Sequence, residues 1–280
     1  MNGENDSRMI TAGVDIGSVA TKAVLVCDGA VLARSLVRSG AEPGAAARTA
    51  LDGALAEAGV DRSAVGRVVA TGYGRRTIDF ADRVVTEITA GARGAVHLCG
   101  LPRPPRLIVD LGGQDTKAIL LDADGSLRDF VMNDKCAAGT GRFLEVMADL
   151  LEVPLDQLAD HAEQAGRRAA INATCTVFAE SEVISLIAAG TPRREIIAGL
   201  HAAIASRVAQ MVRPLRGRPA DGDAAVVFIG GGALNRGVVR ALEQTLGCAV
   251  HVPRHPQHVV AAGAALTGPA PSLAKGPRPV

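Results

Sequence analysis

The most constraining feature of the sequence is a polar motif that occurs twice. The first copy reads Asp15-Ile-Gly-Ser-Val-Ala-Thr-Lys22, and the second reads Asp110-Leu-Gly-Gly-Gln-Asp-Thr-Lys117. Each copy joins two apolar stretches through a glycine-containing turn, and such a turn presents several backbone N–H groups to an anion. Two ordinary hairpins could share the glycines, but Asp, Thr and Lys match here as well. The repeat therefore predicts two related hairpins that hold a phosphate chain across a cleft.

The order strand, turn, strand, strand, helix occurs in both halves, which indicates a duplicated α/β fold with two domains. Later segments have helical spacing and alternate with two short apolar runs. We predict strands over 9–17, 22–27, 31–37, 66–71, 127–132, 224–229 and 249–252, and two more within 107–121, one on each side of the second motif turn. We predict helices over 43–59, 87–98, 140–151, 155–164, 176–189, 192–215, 230–246 and 258–266.

Proline marks the boundary between the two predicted domains. The segment Leu101-Pro-Arg-Pro-Pro105 reads as a linker. We predict a first domain over 9–105, with a C-terminal helix at 257–267 packing back on it, and a second domain over 106–256. Residues 1–8 and 268–280 are predicted to be disordered tails. A glycine-rich loop at 71–76 either shapes the edge of the cleft or is a plain turn, and we favour the plain turn.

Composition excludes several classes of protein. A net charge of +1 and only 2% aromatic residues argue against nucleic-acid partners. The polar N-terminus lacks a signal peptide's apolar run, and no apolar stretch is long enough to cross a bilayer, so we expect a cytoplasmic protein without a membrane partner. The five cysteines include no CxxC pair, and in a reducing compartment they are thiols or metal ligands.

A third glycine turn, Gly230-Gly-Gly-Ala-Leu-Asn235, follows an apolar run and precedes a helix. Three glycines allow a flat base or ribose to lie against the backbone, and the sequence contains neither a dinucleotide fingerprint nor a Walker A motif. Two phosphate hairpins followed by such a turn resemble the actin-like ATPase superfamily, which has a ribonuclease H-like fold. The resemblance implies ATP, Mg²⁺ and an interdomain nucleotide cleft that closes by a hinge.

Two cysteines stand just before predicted helices. Cys136 lies in Met132-Asn-Asp-Lys-Cys-Ala-Ala-Gly-Thr-Gly-Arg-Phe-Leu-Glu145, and Cys175 lies in Asn172-Ala-Thr-Cys-Thr-Val-Phe-Ala-Glu-Ser-Glu182. A helix N-terminus favours a thiolate, or an anionic cluster bound through one. Two thiolates do not complete a four-thiolate cluster, but a two-fold dimer would supply four. The alternative is that both cysteines are inert core residues, which we assume for Cys27, Cys99 and Cys248.

Together these segments resemble the ATP-dependent activators of 2-hydroxyacyl-CoA dehydratases, which are related to ATPase subunits of benzoyl-CoA reductases. The resemblance covers about residues 9–266. It implies a homodimer that shares one [4Fe–4S] cluster through Cys136 and Cys175. It also implies ferredoxin or flavodoxin as electron donor, and ATP-driven transfer of a low-potential electron to a partner iron–sulfur enzyme.

Within this resemblance, each motif residue has an expected role. Asp15 and Asp110 position hydrated Mg²⁺, and Gln114 either orients the attacking water or only caps the turn. Lys22 and Lys117 are expected on outward strand faces. The residues expected to bind the nucleotide are Gly17, Ser18, Thr21, Gly112, Gly113, Gly230, Gly231, Gly232 and Asn235.

Three other functions remain open at this point. A sugar or acyl-group kinase would phosphorylate a small molecule and need no iron. An actin-like scaffold would form nucleotide-dependent filaments without a redox partner. An ATPase subunit of a benzoyl-CoA reductase would be permanently bound to other subunits. The cysteine segments favour the separate activator.

Overall fold

The computed structural model describes residues 9–134, 137–171, 175–215 and 226–267, and they contain two five-stranded sheets. The first sheet has the strand order β3-β2-β1-β4-β5, in which β1, β2 and β3 are antiparallel neighbours and β4 runs parallel to β1. Helix α1 follows β3, and α2 follows β5. The bounds are β1 Ile10–Ile16, β2 Ala20–Cys27, β3 Ala30–Arg38, α1 Pro43–Ala58, β4 Val65–Thr71, β5 Arg83–Val84 and α2 Glu87–Leu98.

The second sheet repeats this arrangement, with the order β8-β7-β6-β9-β10. Strands β6, β7 and β8 are antiparallel neighbours, and β9 runs parallel to β6. The shared topology confirms the predicted duplication. The bounds are β6 Leu107–Leu111, β7 Thr116–Leu121, β8 Leu127–Asn133, α3 Gly141–Leu151, α4 Leu158–Glu163, α5 Thr176–Ala188, α6 Arg193–Val212, β9 Val226–Ile229, α7 Arg236–Leu246, β10 Val250–His251 and α8 Val259–Ala265.

Helices α2 and α8 lie between the two sheets. They share one apolar core with residues from both sheets, including Val69 of β4 and Ile108 of β6. Close packing here depends on missing side chains, because a Cβ on Gly13 of β1 would overlap the carbonyl oxygen of Ala261 in α8. With helices on both faces, all seven residues of β1 are buried, which explains why its apolar residues do not alternate with exposed polar ones.

Most predicted elements are found within about two residues of their predicted bounds, but two differ in kind. The helix predicted over 155–164 begins as a separate 3₁₀ turn, Leu155–Gln157, before α4. The helix predicted from residue 230 begins only at Arg236, because the preceding turn Gly231–Leu234 is a 3₁₀ helix and Asn235 caps α7. Its side-chain oxygen accepts hydrogen bonds from the first turn of that helix, as N-cap residues do.

The domain boundaries at 9–105 and 106–256 remain a prediction. Helix α8 does pack against α2, β1 and β2, as expected for a C-terminal helix that returns to the first domain. The predicted tails, Cys136 and part of the strand predicted over 224–229 lie outside the described residues. In the part of the chain that the structure describes, no helix combines the length and the apolar character needed to span a bilayer.

Candidate functional site

A cavity of about 570 Å³ lies where the two halves meet. Both motif turns, the glycine turn after β9 and the loop after β4 contribute to its wall. It brings together eleven of the predicted site residues, namely Asp15, Gly17, Ser18, Asp110, Gly112, Gly113, Gln114, Gly230, Gly231, Gly232 and Asn235. The structure therefore assembles in one place three motifs that are far apart in sequence.

The two motif turns are closed by equivalent backbone hydrogen bonds. The amide of Gly17 donates to the carbonyl of Ala20 at 3.2 Å, and the amide of Gly112 donates to the carbonyl of Asp115 at 2.9 Å. Because these two glycine amides are used inside the turns, they are not free to bind an anion. The glycines act by their shape instead, since a Cβ on Gly112 would approach the Asp115 carboxylate to 2.6 Å.

The threonine of the first motif does not reach the cavity. Thr21 is fully buried, and its hydroxyl lies 2.9 Å from that of Ser39. Ser39 in turn donates to the carbonyl of Gly17 at 2.6 Å. Thr21 therefore supports the turn from behind through Ser39, and this corrects the expectation that it contacts phosphate.

Each motif aspartate lies opposite its motif lysine across the hairpin. Asp15 is paired with Lys22, and Asp110 with Lys117. The lysine Nζ atoms lie 3.0 Å and 3.9 Å from the respective carboxylates. The expectation that the lysines face outward is wrong, because residues directly opposite in an antiparallel pair share one face of the sheet.

The second pair belongs to a larger charge cluster. Lys117 Nζ also lies 2.7 Å from Asp115 and 2.7 Å from Glu87, the first residue of α2. Burial opposes the ammonium, but the carboxylates of Asp110, Glu87 and Asp115 outweigh it and raise the pKa of Lys117. Burial also raises the pKa of Asp110 to about 6, with Lys117 opposing the shift and Asp115 and Asp15 adding to it.

A glycine with positive φ packs on each motif aspartate. Gly72 follows β4 with φ of 91°, and its Cβ would lie 2.6 Å from Asp15 Oδ1. Gly230 follows β9 with φ of 86°, and its Cβ would lie 2.5 Å from Asp110 Oδ1. The 71–76 loop is thus the first-half counterpart of the Gly230 turn, and Tyr73 lines the cavity. Our preference for a plain turn there was wrong.

The second motif turn is bonded directly to the start of α3. The amide of Gly141 donates to the carbonyl of Gly112, and the amide of Arg142 donates to the carbonyl of Gly113, both at 2.8 Å. The hydroxyl of Thr116 donates to the carbonyl of Gly139 at 2.5 Å. Three hydrogen bonds therefore connect this hairpin to the backbone that follows Cys136.

Of the two predicted cluster cysteines, the structure describes one. Cys175 is exposed and occupies the N-cap position of α5. Beside it, α5 presents four exposed apolar side chains, Val177, Phe178, Ile184 and Ile187. By contrast, Cys99 is buried, and burial raises its pKa to about 12, which keeps that thiol protonated and unreactive.

Sequence reasoning missed several residues of the cavity wall. Glu87 had no local signal, because only the tertiary fold brings the start of α2 to Lys117. The lysines did have a signal, since the equal spacing from Asp to Lys in both motifs predicts that they lie opposite each other across a hairpin. The loop that contributes Tyr73 also had one, because its first glycine, Gly72, follows a short apolar strand as Gly230 does.

Two duplicated α/β halves that enclose a cavity lined by paired hairpin turns define a protein with the actin-like ATPase fold. A sequence profile of the BadF/BadG/BcrA/BcrD ATPase family matches residues 12–268. The chain belongs to this family.

Several characterised proteins resemble the chain over nearly its whole length. The activator of lactoyl-CoA dehydratase from Anaerotignum propionicum is 46% identical over 92% of this chain and 96% of its own. The activator of the 2-hydroxyisocaproyl-CoA dehydratase from Clostridium difficile, solved with bound ADPNP, superposes with a TM-score of 0.85 at 40% identity, covering 92% of this chain and 93% of its own. Component A of the (R)-2-hydroxyglutaryl-CoA dehydratase of Acidaminococcus fermentans superposes with a TM-score of 0.84 at 40% identity, covering 92% and 96%.

Proposed function

We propose that the protein is an ATP-hydrolysing iron–sulfur activator that delivers a low-potential electron to a 2-hydroxyacyl-CoA dehydratase. Three relatives named as dehydratase activators or components support this class. The observation that carries the proposal is the pair of hydrogen bonds from the start of α3 to the carbonyls of Gly112 and Gly113. They connect the phosphate turn to the backbone that follows Cys136.

The cavity suits a magnesium nucleotide. Mg²⁺ in phosphate sites is usually held by one or two carboxylates together with phosphate oxygens and water. Asp15 and Asp110 are two such carboxylates on facing turns, and no set of three or more possible metal ligands occurs among the described residues. Ser18 and Gly113 at the turn tips contact phosphate, and Gln114 orients the attacking water.

The remaining cavity wall suits the nucleoside. Gly231 leaves an open wall beside Asn235, because the nearest atom to its missing Cβ is Gln257 Nε2 at 3.6 Å. Gly230 and Gly232 instead let the turn pack closely on Asp110 and Leu111. Lys22 and Lys117 both line the cavity, where each ammonium group lies beside its motif aspartate. In this position the two lysines neutralise part of the phosphate charge of a bound ligand. Asp15 and Asp110 would hold a magnesium ion, whose charge would favour the ionised form of Asp110 and so lower its pKa.

A [4Fe–4S] cluster fits the donor set of this chain only in a dimer. The described thiol at the N-cap of α5 is exposed, as a ligand shared with a second chain must be. Cys136 lies outside the described residues and is proposed as the second ligand. When bound, such a cluster supplies a one-electron store whose potential depends on exposure and hydrogen bonding. Arg207 donates to the carbonyl of Ala138 and so fixes the backbone next to that ligand.

Two kinds of partner meet the protein near Cys175 in this proposal. The exposed apolar side chains of α5 supply an interface for the second copy of the chain, which brings the second pair of thiolates. Ferredoxin or flavodoxin donates the electron, and a dehydratase accepts it. The benzoyl-CoA reductase alternative would instead give a permanent complex with further subunits.

The first experiment measures iron and acid-labile sulfide in anaerobically purified protein. We expect about four irons per dimer, lost in Cys136→Ala and Cys175→Ala and retained in the control Cys27→Ala. Purified dehydratase should become active only when ATP, a reductant and the wild-type protein are all present. An iron-free protein that hydrolyses ATP and phosphorylates a sugar or acyl group would identify a kinase, and nucleotide-dependent filaments would identify a scaffold.

A further inference from the structure

A buried histidine stands behind the nucleoside side of the cavity. His201 on α6 is 2% exposed, and its Nε2 lies 3.1 Å from Nδ2 of Asn235. Asn235 lines the cavity, whereas His201 does not. The imidazole can therefore affect a ligand only through the asparagine.

The hydrogen bonds fix which way the asparagine amide points. Asn235 Oδ1 accepts from the amides of Gly237 at 2.9 Å and Val238 at 3.2 Å, so the oxygen must face the helix. Nδ2 then donates to His201 Nε2, which must be the unprotonated ring nitrogen. Burial lowers the pKa of His201 to about 4, so the ring is neutral near pH 7 and able to accept.

The histidine is not explained by packing alone. With Nε2 as acceptor, its hydrogen is on Nδ1, and that atom has no hydrogen-bond partner among the described residues. A buried N–H without a partner is unfavourable, and an apolar side chain of similar volume would avoid it. What the imidazole adds is one acceptor for Asn235.

The neighbouring glycine makes room for this contact. A Cβ on Gly237 would overlap Nδ1 and Cε1 of His201. Gly237 has no positive φ, so its lack of a side chain matters for space rather than for backbone conformation. His201, Gly237 and Asn235 therefore form one unit, in which the glycine lets the imidazole approach the asparagine.

We infer that His201 is a positioning residue for nucleotide binding, which locks the Asn235 amide so that its second Nδ2–H is available to the nucleoside half of the ligand. The inference rests on the proposed nucleotide site. It assigns no contact between His201 and the ligand. The phosphate half is bound by the hairpin turns and does not depend on this unit.

The test compares calorimetric affinities for Mg²⁺–ADP and Mg²⁺–tripolyphosphate in full-length protein. His201→Leu should weaken ADP binding about threefold to tenfold, the effect of losing one neutral hydrogen bond, and leave tripolyphosphate binding within twofold. His201→Gln, which keeps an acceptor oxygen, should recover most of the loss. A merely structural role would weaken both ligands together.

A double-mutant cycle gives a second, independent test. Gly237→Ala should weaken ADP binding in the wild-type background, because the methyl group displaces the imidazole. In His201→Ala the same change should have a much smaller further effect, since the overlap with the imidazole is gone and only the 3.1 Å approach to Asn235 Oδ1 remains. Unchanged ADP affinity in both His201→Leu and Gly237→Ala would overturn the inference. An equal fold loss of ADP and tripolyphosphate affinity in His201→Leu would also overturn it, whereas wild-type protein that binds neither ligand would overturn the proposed function.

Discussion

The ammonium of Lys117 lies 2.7 Å from the carboxylate of Glu87 and joins the second sheet to the start of α2. Lys117 is buried within the hairpin of one half, whereas Glu87 begins the helix that lies between the sheets. The contact connects the two halves at the floor of the cavity, so any change in the angle between the sheets must accommodate it.

Replacing Glu87 tests how much this contact contributes. Glu87→Gln should lower the free energy of unfolding by about 1–3 kcal/mol, because Lys117 is buried and loses one charged partner. Urea denaturation followed by circular dichroism measures the change. The matched control is Asp79→Asn, which removes the exposed Arg48–Asp79 pair and should cost less than about 1 kcal/mol. Equal losses in the two variants would contradict the prediction.

The raised pKa of Asp110 predicts an unusual pH dependence for the metal-free protein. A carboxyl group with a pKa of about 6 when folded and 3.8 when unfolded binds its proton more tightly in the folded state. Its contribution to stability is therefore full below about pH 4 and is lost as the pH rises through 6. The full contribution of Asp110 to the free energy of unfolding is about 3 kcal/mol, because each unit of pKa shift corresponds to 1.36 kcal/mol.

The readout is the difference between wild type and Asp110→Asn, because other groups titrate in both proteins. Between pH 4 and pH 7, in EDTA, the wild type should lose about 2–2.5 kcal/mol of stability relative to the variant, which is most of the full contribution. A difference that stays constant across this range would show that Asp110 does not titrate there.

Alanine substitutions at two glycines with positive φ distinguish the cost of backbone strain from the cost of a steric clash. Gly29→Ala should cost about 1 kcal/mol, because φ is 80° and no atom lies within 4 Å of the new Cβ. Gly72→Ala has a similar φ but places its Cβ 2.5 Å from the carbonyl of Ile16, so we expect a loss of about 3 kcal/mol or more. Thermal denaturation measures both changes, and similar losses would argue against the clash.

The exposed side chains of α5 predict where the dimer forms. Phe178 is 70% exposed, so Phe178→Ser should change the stability of the single chain by less than about 0.5 kcal/mol. It should raise the dimer dissociation constant about tenfold or more, as loss of an interfacial aromatic residue does. Sedimentation equilibrium measures this constant. Leu32→Ser, at an exposed apolar residue of β3, is the control and should leave the dimer intact.

Much of the fold could be predicted because the duplicated motif determines it locally. The hairpins at Asp15 and Asp110, the helices around them and the third glycine turn all follow from short-range patterns of apolar residues and glycines. The start of α7 was predicted too early. Asn235 caps this helix, and a capping asparagine is hard to place from sequence when a glycine turn precedes it and helix-forming residues follow it.

The site was predictable where the contributing residues belong to one motif. Asp15, Gly113 and Gln114 reach the cavity as expected, since each lies at or next to a hairpin turn. Thr21 does not, because side chains alternate between the faces of a strand and its hydroxyl is turned toward Ser39. Glu87 and His201 come from other elements, and only tertiary packing brings them beside the motifs.

The duplicated loops that follow β4 and β9 differ at the residue after the shared glycine, and that difference makes the two ends of the cleft unlike. Tyr73 follows Gly72 in the first half, whereas Gly231 follows Gly230 in the second. A cleft made of two identical halves would accept an elongated ligand in two orientations of equal energy. The phenol at one end and the bare backbone at the other make these orientations unequal in energy. The duplicated fold therefore favours one orientation of its ligand.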